Sequence, residues 1–275
     1  LLSILKIKTG KLKPMNESNK NQDLSKVWCV IPVYNNASTV VDVVRRCRRQ
    51  IDNILLVDDG SSDIDIKEEF IDSDIHIVRH ETNRGKGAAI ISALDFLSKH
   101  DAAYMITVDA DGQHYPEDIP SFFPLIADND RTMVIGCRDF SVDNIPNSSR
   151  IGRWMSNFWM KVETGIRIHD CQSGYRAYPV KLLLQMKFLC HRYDFETEVL
   201  VRAAWAGLEF KSLPVRTLYP ESHLRVSHFK PWQDNLQISL IHLHFVTVLL
   251  FSMPAWKLIR KNQTIPNKNI RDGYS

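Results

Sequence analysis

The chain carries no closely spaced cysteine pair. Its five cysteines, Cys29, Cys47, Cys137, Cys171 and Cys190, are scattered and odd in number. That spacing argues against a disulfide framework or a zinc knuckle and suggests a reducing compartment. Cys29 and Cys137 lie in apolar runs, where a thiol behaves as a small hydrophobe. No basic stripe is present and the net charge is only +3, so nucleic acid is not an expected partner. Neither Gly-x-Gly-x-x-Gly nor Gly-x-x-x-x-Gly-Lys-Ser/Thr occurs, which excludes the standard dinucleotide and nucleoside-triphosphate loops. Internal repeats and low-complexity tracts are missing too. The apolar opening is too brief for a signal-peptide core. Residues 1–25, rich in Lys and Asn, read as a disordered tail, with Met15 a candidate natural start.

What is there is an ordinary globular composition, 44% hydrophobic and 24% charged over 275 residues, enough for one substantial core. From about Lys26 to Val134, apolar strand-like runs alternate with helical patterns, which argues for a parallel α/β sheet. Strands are expected at Val27–Val33, Ile54–Val57, Ile75–Val78, Tyr104–Val108 and Thr132–Ile135. Helices are expected from a Ser38 or Thr39 cap to Arg49, near Ile64–Ile71, and over Gly85–Ser98. Pro116 suits the first turn of another helix. The second half is less regular. Ser149–Glu163 reads as an amphipathic helix, Asp170–Tyr178 as a polar turn, Glu196–Ala206 as a helix and Phe210–Val215 as a strand.

Three strand ends carry polar groups. The apolar run from Tyr104 stops at Asp109-Ala-Asp-Gly-Gln113. The run Ile54–Val57 stops at Asp58 and Asp59, and the first strand stops at Asn35 and Asn36. In an open α/β sheet, ligands sit beyond the carboxyl ends of the strands. Carboxylates there can hold a divalent cation, and the cation a diphosphate. Arg84-Gly-Lys-Gly87 opens a helix whose backbone N–H groups, with Lys86, can receive a phosphate or ribose. Arg138, past the fifth strand, can clamp a phosphate or form a surface ion pair. Asp194, Glu196 and Glu198 at a helix start suit either dipole capping or a catalytic base. Arg45–Arg49 reads as a solvated basic helix end, with anionic lipid as the alternative. His114, His242 and His244 lack a third ligand at metal spacing.

From Ile238 to Trp256 about 19 residues carry no formal charge, close to the ~20 that span a bilayer. Three placements stay open: a span, a helix lying in the interface, or a packed helix. The expected division is a tail to residue 25, a catalytic domain over 26–235, and a membrane-associated or packed helix and tail over 236–275. The basic segment Arg225, His228 and Lys230 suits an anionic acceptor at a membrane surface, and the inner face of the cytoplasmic membrane is the expected location.

Taken together, Ile31-Pro-Val-Tyr-Asn35, Val57-Asp-Asp-Gly-Ser61, Asn83-Arg-Gly-Lys-Gly-Ala88, Val108–His114, Gly136-Cys-Arg138 and Gln172-Ser-Gly-Tyr-Arg176 resemble the family-2 inverting glycosyltransferases. The likeness is greatest to the dolichol/polyprenyl-phosphate mannosyltransferase-like branch and covers about residues 27 to 230. It implies a GT-A fold: a Rossmann-like, mixed but mostly parallel sheet with helices on both faces, here with a C-terminal apolar helix. It also implies roles. Pro32, Tyr34 and Asn36 would line the base and ribose; Asn36 stands where the branch usually has Glu, which leaves the donor open. Asp59, with Asp58 behind it, would bind base or ribose. Gly85, Lys86 and Ala110 would join the nucleotide-sugar site. Asp109 would meet ribose or metal, while Asp111 and Gln113 would coordinate Mg²⁺ or Mn²⁺. Arg138 would contact sugar or phosphate. Glu198 matches a recurrent acid, with Glu196 and Asp194 beside it. Gln172 and Ser173 would form the acceptor-side wall.

The implied reaction is transfer of a sugar from a nucleoside-diphosphate sugar to a lipid phosphate or to an envelope glycan or lipid hydroxyl. A hydroxyl acceptor needs a base within reach; a phosphate is already anionic and needs only positioning. A sugar-1-phosphate nucleotidyltransferase is the rival. It wants a basic Gly-rich loop after the first strand, where this chain has Tyr34-Asn-Asn-Ala37. A further alternative is an inactive membrane-docked nucleotide-sugar binding module.

Overall fold

The computed structural model describes residues 24–127, 129–139, 147–218 and 231–251. Expectations for residues 1–23, for Arg225, His228 and Lys230, and for residues 252–275 lie outside these. Seven strands form one sheet in the order β3-β2-β1-β4-β6-β5-β7. They are β1 (Val27–Val33), β2 (Ile54–Asp58), β3 (His76–Arg79), β4 (Tyr104–Thr107), β5 (Thr132–Arg138), β6 (Arg176–Pro179) and β7 (Glu209–Val215). All neighbouring pairs are parallel except those of β6, which runs against both β4 and β5. The chain leaves β1 toward β2 and β3, then returns to place β4 on its other side. That reversal opens a crevice at the strand tips.

Helices cover both faces, which explains why β1, β2 and β4 read as nearly unbroken apolar runs. On one face Val30, Leu55 and Met105 pack with α3 (Lys86–Ser98) and α7 (Phe195–Trp205) through Ala89, Ala93, Leu97, Val199 and Ala203. On the other, Ile31, Leu56 and Ile106 meet α1 (Ala37–Arg48) through Val40, Val43, Val44 and Cys47, with Ile119 and Phe122 closing the layer. Short helices α2 (Ile66–Glu69), α4 (Phe123–Ile126) and α6 (Val180–Leu183) fill the connections, and Pro116 opens a 3-10 helix to Phe122.

Several local expectations are corrected. Helix α1 is preceded by Asn36 rather than capped by Ser38 or Thr39, because the Thr39 hydroxyl donates to the Ala110 carbonyl at 2.6 Å. The polar turn over Asp170–Tyr178 gives way to strand at its end, with Arg176–Pro179 wholly buried in the sheet as β6. Its charged first residue is tolerated because the Arg176 guanidinium donates to the carbonyls of Ser173, Cys171 and Glu196 at 2.6, 2.8 and 3.0 Å. A buried charge survives only when its donors are met in this way.

Helix α5 (Asn147–Thr164) packs against α7 and against α8 (Pro231–Phe251). Ile241 and Phe245 of α8 enter the same core as α3 and α7. His242 stacks on Trp159 and bonds Glu163 at 2.7 Å, so it serves packing and is not a free metal ligand. Among the described residues, no helix is long and apolar enough to cross a membrane.

Candidate active site

The crevice is a cavity of about 680 Å³ at the carboxyl tips of β1, β2 and β4. Its lining includes Pro32, Tyr34 and Asn36 after β1, Asp59 after β2, Gly85 and Lys86 at the start of α3, and Asp109, Ala110, Asp111 and Gln113 after β4. The structure therefore brings together ten residues that the sequence singled out from four separate segments. Asn83, from the motif at 83–88, lines it as well, as do Arg192 and Tyr193, to which no role was assigned; nothing in the local pattern around Arg192 marks it.

A charge cluster forms one wall. The Lys86 ammonium lies 2.6 Å from Asp109 Oδ1 and 2.6 Å from Glu196 Oε1. Burial works against the ammonium, yet the two carboxylates outweigh it and raise its pKa. Burial likewise disfavours the Asp109 carboxylate, but Lys86 holds its pKa below the usual value. Gly174 seals this pair. A Cβ at that position would lie 2.5 Å from Lys86 Nζ and 2.7 Å from Asp109 Oδ2. His114 is buried beside Asp109, and that burial pushes its pKa down to about 4, so the ring is neutral at pH 7.

Asp111 is treated differently. Burial, then the neighbouring Asp109 charge, pushes its carboxyl up to about 6. Its Oδ1 accepts the Gln113 N–H at 2.9 Å. Among the described residues, no three His, Cys, Asp or Glu side chains are grouped to hold a metal ion. The chain offers a hard cation Asp111 in the cavity, with the Gln113 side chain and Asp109 nearby. That all-oxygen set fits Mg²⁺ or Mn²⁺ only if a diphosphate and water complete the shell.

Other expectations change. Asp59 is almost fully buried, and its carboxylate accepts the N–H groups of Arg84 at 2.8 Å and Gly85 at 2.7 Å while meeting His80 Nδ1 at 2.6 Å. The Ala88 N–H goes to the His191 carbonyl at 2.9 Å. The start of α3 is thus less open to a phosphate than expected, since two of its donors, with that of Arg84, are already used. Gly85 sits at φ +100°, and a Cβ there would meet the His191 carbonyl at 2.5 Å. Asp58 is fully buried and turns away from the cavity: its Oδ1 accepts the Ser61 N–H at 2.8 Å.

Arg138 does not line the cavity. It grips the buried Asp170 through two bonds of 2.7 and 2.8 Å. Glu198 does not line the cavity and anchors a loop instead. It is fully buried, accepts the N–H groups of Leu189 and Cys190 at 2.9 and 2.7 Å, and pairs with Arg202 at 2.6 Å. Asp194 precedes α7 and accepts the Arg192 N–H at 3.0 Å. Ser173 is fully buried and cannot face an acceptor, whereas Gln172 is exposed beside Gly152 of α5. The basic end of α1 is neutralised locally: Arg46 forks onto Glu117 at 2.7 and 2.9 Å, Arg45 bonds Asp42 at 2.6 Å and Arg48 pairs with Asp74.

An open, mostly parallel α/β sheet whose strand tips deliver acids to one cleft fits the GT-A fold of glycosyltransferases. The chain belongs to glycosyltransferase family 2: the family model described as Glycosyl transferase family 2 matches residues 28–186. It is 31% identical over 219 residues to the uncharacterized protein MJ1222 of Methanocaldococcus jannaschii, a match covering 75% of this chain and 86% of that one. It is 29% identical to a UDP-N-acetylglucosamine–dolichyl-phosphate N-acetylglucosaminyltransferase of Methanococcus voltae, across 71% of this chain and 86% of the relative. An undecaprenyl-phosphate mannosyltransferase of Micrococcus luteus is 25% identical, across 69% of this chain and 82% of the relative.

Proposed function

We propose that this glycosyltransferase moves a sugar from a nucleoside-diphosphate sugar to a polyprenyl phosphate, inverting the anomeric carbon, with Mg²⁺ or Mn²⁺ bound at Asp111. The observation that carries the choice of acceptor concerns the base. A hydroxyl acceptor needs a carboxylate ready to take its proton. The three acids at the start of α7 are committed elsewhere: Glu198 to a loop, Glu196 to Lys86 and Asp194 to the Arg192 N–H. A phosphate acceptor needs none of them as a base. Two relatives named above carry prenyl-phosphate acceptors in their names, which supports the same reading.

The roles follow from position. Tyr34, Pro32 and Asn36 frame the nucleotide end of the cavity. Asp59 holds the Arg84–Gly85 turn that presents Lys86. Lys86 offsets one of the two charges of Asp109 and Glu196, so the incoming diphosphate meets less negative charge. Asp111, with Gln113, would hold the cation, whose chemistry is to stabilise the charge developing on the departing diphosphate. His114, neutral at pH 7, adds no further charge to that wall.

The test is a thermal-shift panel of UDP-, GDP- and dTDP-sugars with and without Mn²⁺, since a ligand that binds the native form raises apparent stability. One nucleotide sugar should shift melting in a Mn²⁺-dependent way, and Asp111→Ala should abolish that metal-dependent part. With a prenyl phosphate present, nucleoside diphosphate should be released. Release of pyrophosphate, or a shift indifferent to both metal and Asp111, refutes the reading.

A further inference from the structure

Helices α5 and α8 are neighbours that each bury one side and leave the opposite side apolar. On α5, Ser156, Met160 and Glu163 face inward, while Trp154, Met155, Phe158 and Val162 are exposed, Trp154 to 68%. On α8, Ile241, His242 and Phe245 face inward, while Leu236, Leu240, Leu243 and Leu250 are exposed by 55% or more. At ~100° per residue, each exposed set falls within about a 100° arc opposite the buried one. Trp159 stacks on His242 and joins the two helices side by side. Isolated exposed apolar residues need no explanation, but two adjacent stripes containing Trp and Phe do.

Charge indicates the occupant. On α5 the cations Arg150 and Lys161 lie along one border of the stripe, and the only acid of that helix, Glu163, is buried against His242. Beyond α8, the sequence 252–275 holds Lys257, Arg260, Lys261, Lys268 and Arg271 against the single acid Asp272. Apolar side chains beside cations, with no exposed acid on α5, match an anionic bilayer surface rather than a second copy of a surface that is itself basic.

The face is also tied to the active site. Asn157 of α5 donates to the His169 carbonyl at 2.8 Å and accepts the Cys171 N–H at 3.0 Å. The segment it fastens runs on to Gly174, which seals Lys86 and Asp109. We infer that the exposed apolar stripes of α5 and α8 form a docking face that lies flat on an anionic lipid bilayer and brings the acceptor side of the cavity to the membrane surface. Neither helix crosses; both rest in the headgroup boundary. The choice of a lipid occupant rests partly on the prenyl-phosphate reading, but the experiment below needs neither donor nor acceptor.

The full chain is sedimented with vesicles of phosphatidylglycerol and phosphatidylcholine, and with phosphatidylcholine alone. Wild type should partition onto the anionic vesicles. The pairs Trp154→Ser with Phe158→Ser, and Leu240→Ser with Leu243→Ser, should each lower the partition coefficient tenfold or more. Ile71→Ser, which removes an equally exposed apolar residue beside β3 at the far sheet edge, should leave it unchanged. Nucleotide-dependent melting shifts confirm that the variants are folded. Equal sedimentation of wild type and both double variants overturns the inference. So does a wild-type dimer that these variants dissociate, because the face would then join two copies. Vesicle binding without any glycosyl transfer would leave the docking face standing and refute the reaction instead.

Discussion

Substituting Gly174 by Ala isolates the charge cluster from the rest of the fold. The backbone there needs no left-handed conformation, so the methyl group itself is the perturbation. It would lie 2.5 Å from Lys86 Nζ and 2.7 Å from Asp109 Oδ2, about 1 Å inside ordinary contact. Both side-chain tips must shift from the methyl, and the pair, now 2.6 Å apart, is expected to open by about 1 Å. At an effective dielectric near 20, stretching such a pair by 1 Å weakens its attraction by about 2 kcal/mol. For a domain of this size that lowers melting by about 4–8 °C. The effect on turnover should be larger in proportion, because a 1 Å misplacement in a reacting site costs about 10²-fold. The assay is kcat/KM for nucleoside diphosphate release, with a melt on the same sample. A variant that keeps wild-type turnover would refute the idea that Lys86 and Asp109 act as a fixed pair.

Lys86→Met leaves Asp109 and Glu196 without their shared cation. Denaturant unfolding at pH 7.5 should show a loss of about 2 kcal/mol, below the ~3–5 of a fully buried pair because Asp109 is partly exposed. Glu198→Gln should cost about 1–3 kcal/mol in the same assay by weakening the anchor of the Leu189–Cys190 loop. Its saturated turnover should stay within a few-fold of wild type; a loss of 10³-fold would restore Glu198 as a base. The Asp111 pKa is raised in the folded state, so the native protein binds the extra proton between about pH 4 and 6. Without metal, Asp111 therefore contributes a loss of stability as pH rises through that window, and Asp111→Asn should remove that contribution when pH series of melts are compared with wild type.

The strand-tip lining of the cavity could be read from the chain because parallel strands leave a regular mark. Val27–Val33, Ile54–Val57 and Tyr104–Ile106 are apolar runs, and the chain just past each of them supplies polar groups that reach the cleft, Asn36, Asp59 and Asp109. The surroundings of β6 and the start of α7 could not be read in the same way. Arg176 opens β6, and an arginine reads as solvent-facing until the carbonyls that receive it are known. Asp170 claims Arg138 from 32 residues away, and no local pattern announces that bond. Glu198 resembles a catalytic acid by position, but it is fixed by N–H groups of a loop that precedes its own helix. Gly174 lies in the stretch read as a polar turn; its importance comes from two side chains, Lys86 of α3 and Asp109 just after β4.

The reversed direction of β6 has a consequence for how such enzymes diversify. Its first residue, Arg176, lies opposite Thr107 and Ile135, at the same sheet edge where the parallel strands end. The polypeptide entering β6 therefore arrives at the cleft from outside, after a long excursion past β5, whereas the cavity is lined by chain leaving the sheet. Under the proposed function, replacements over residues 147–169 that keep Asn157 and Glu163 are expected to alter the acceptor side while Asp59, Lys86 and Asp111 stay in place.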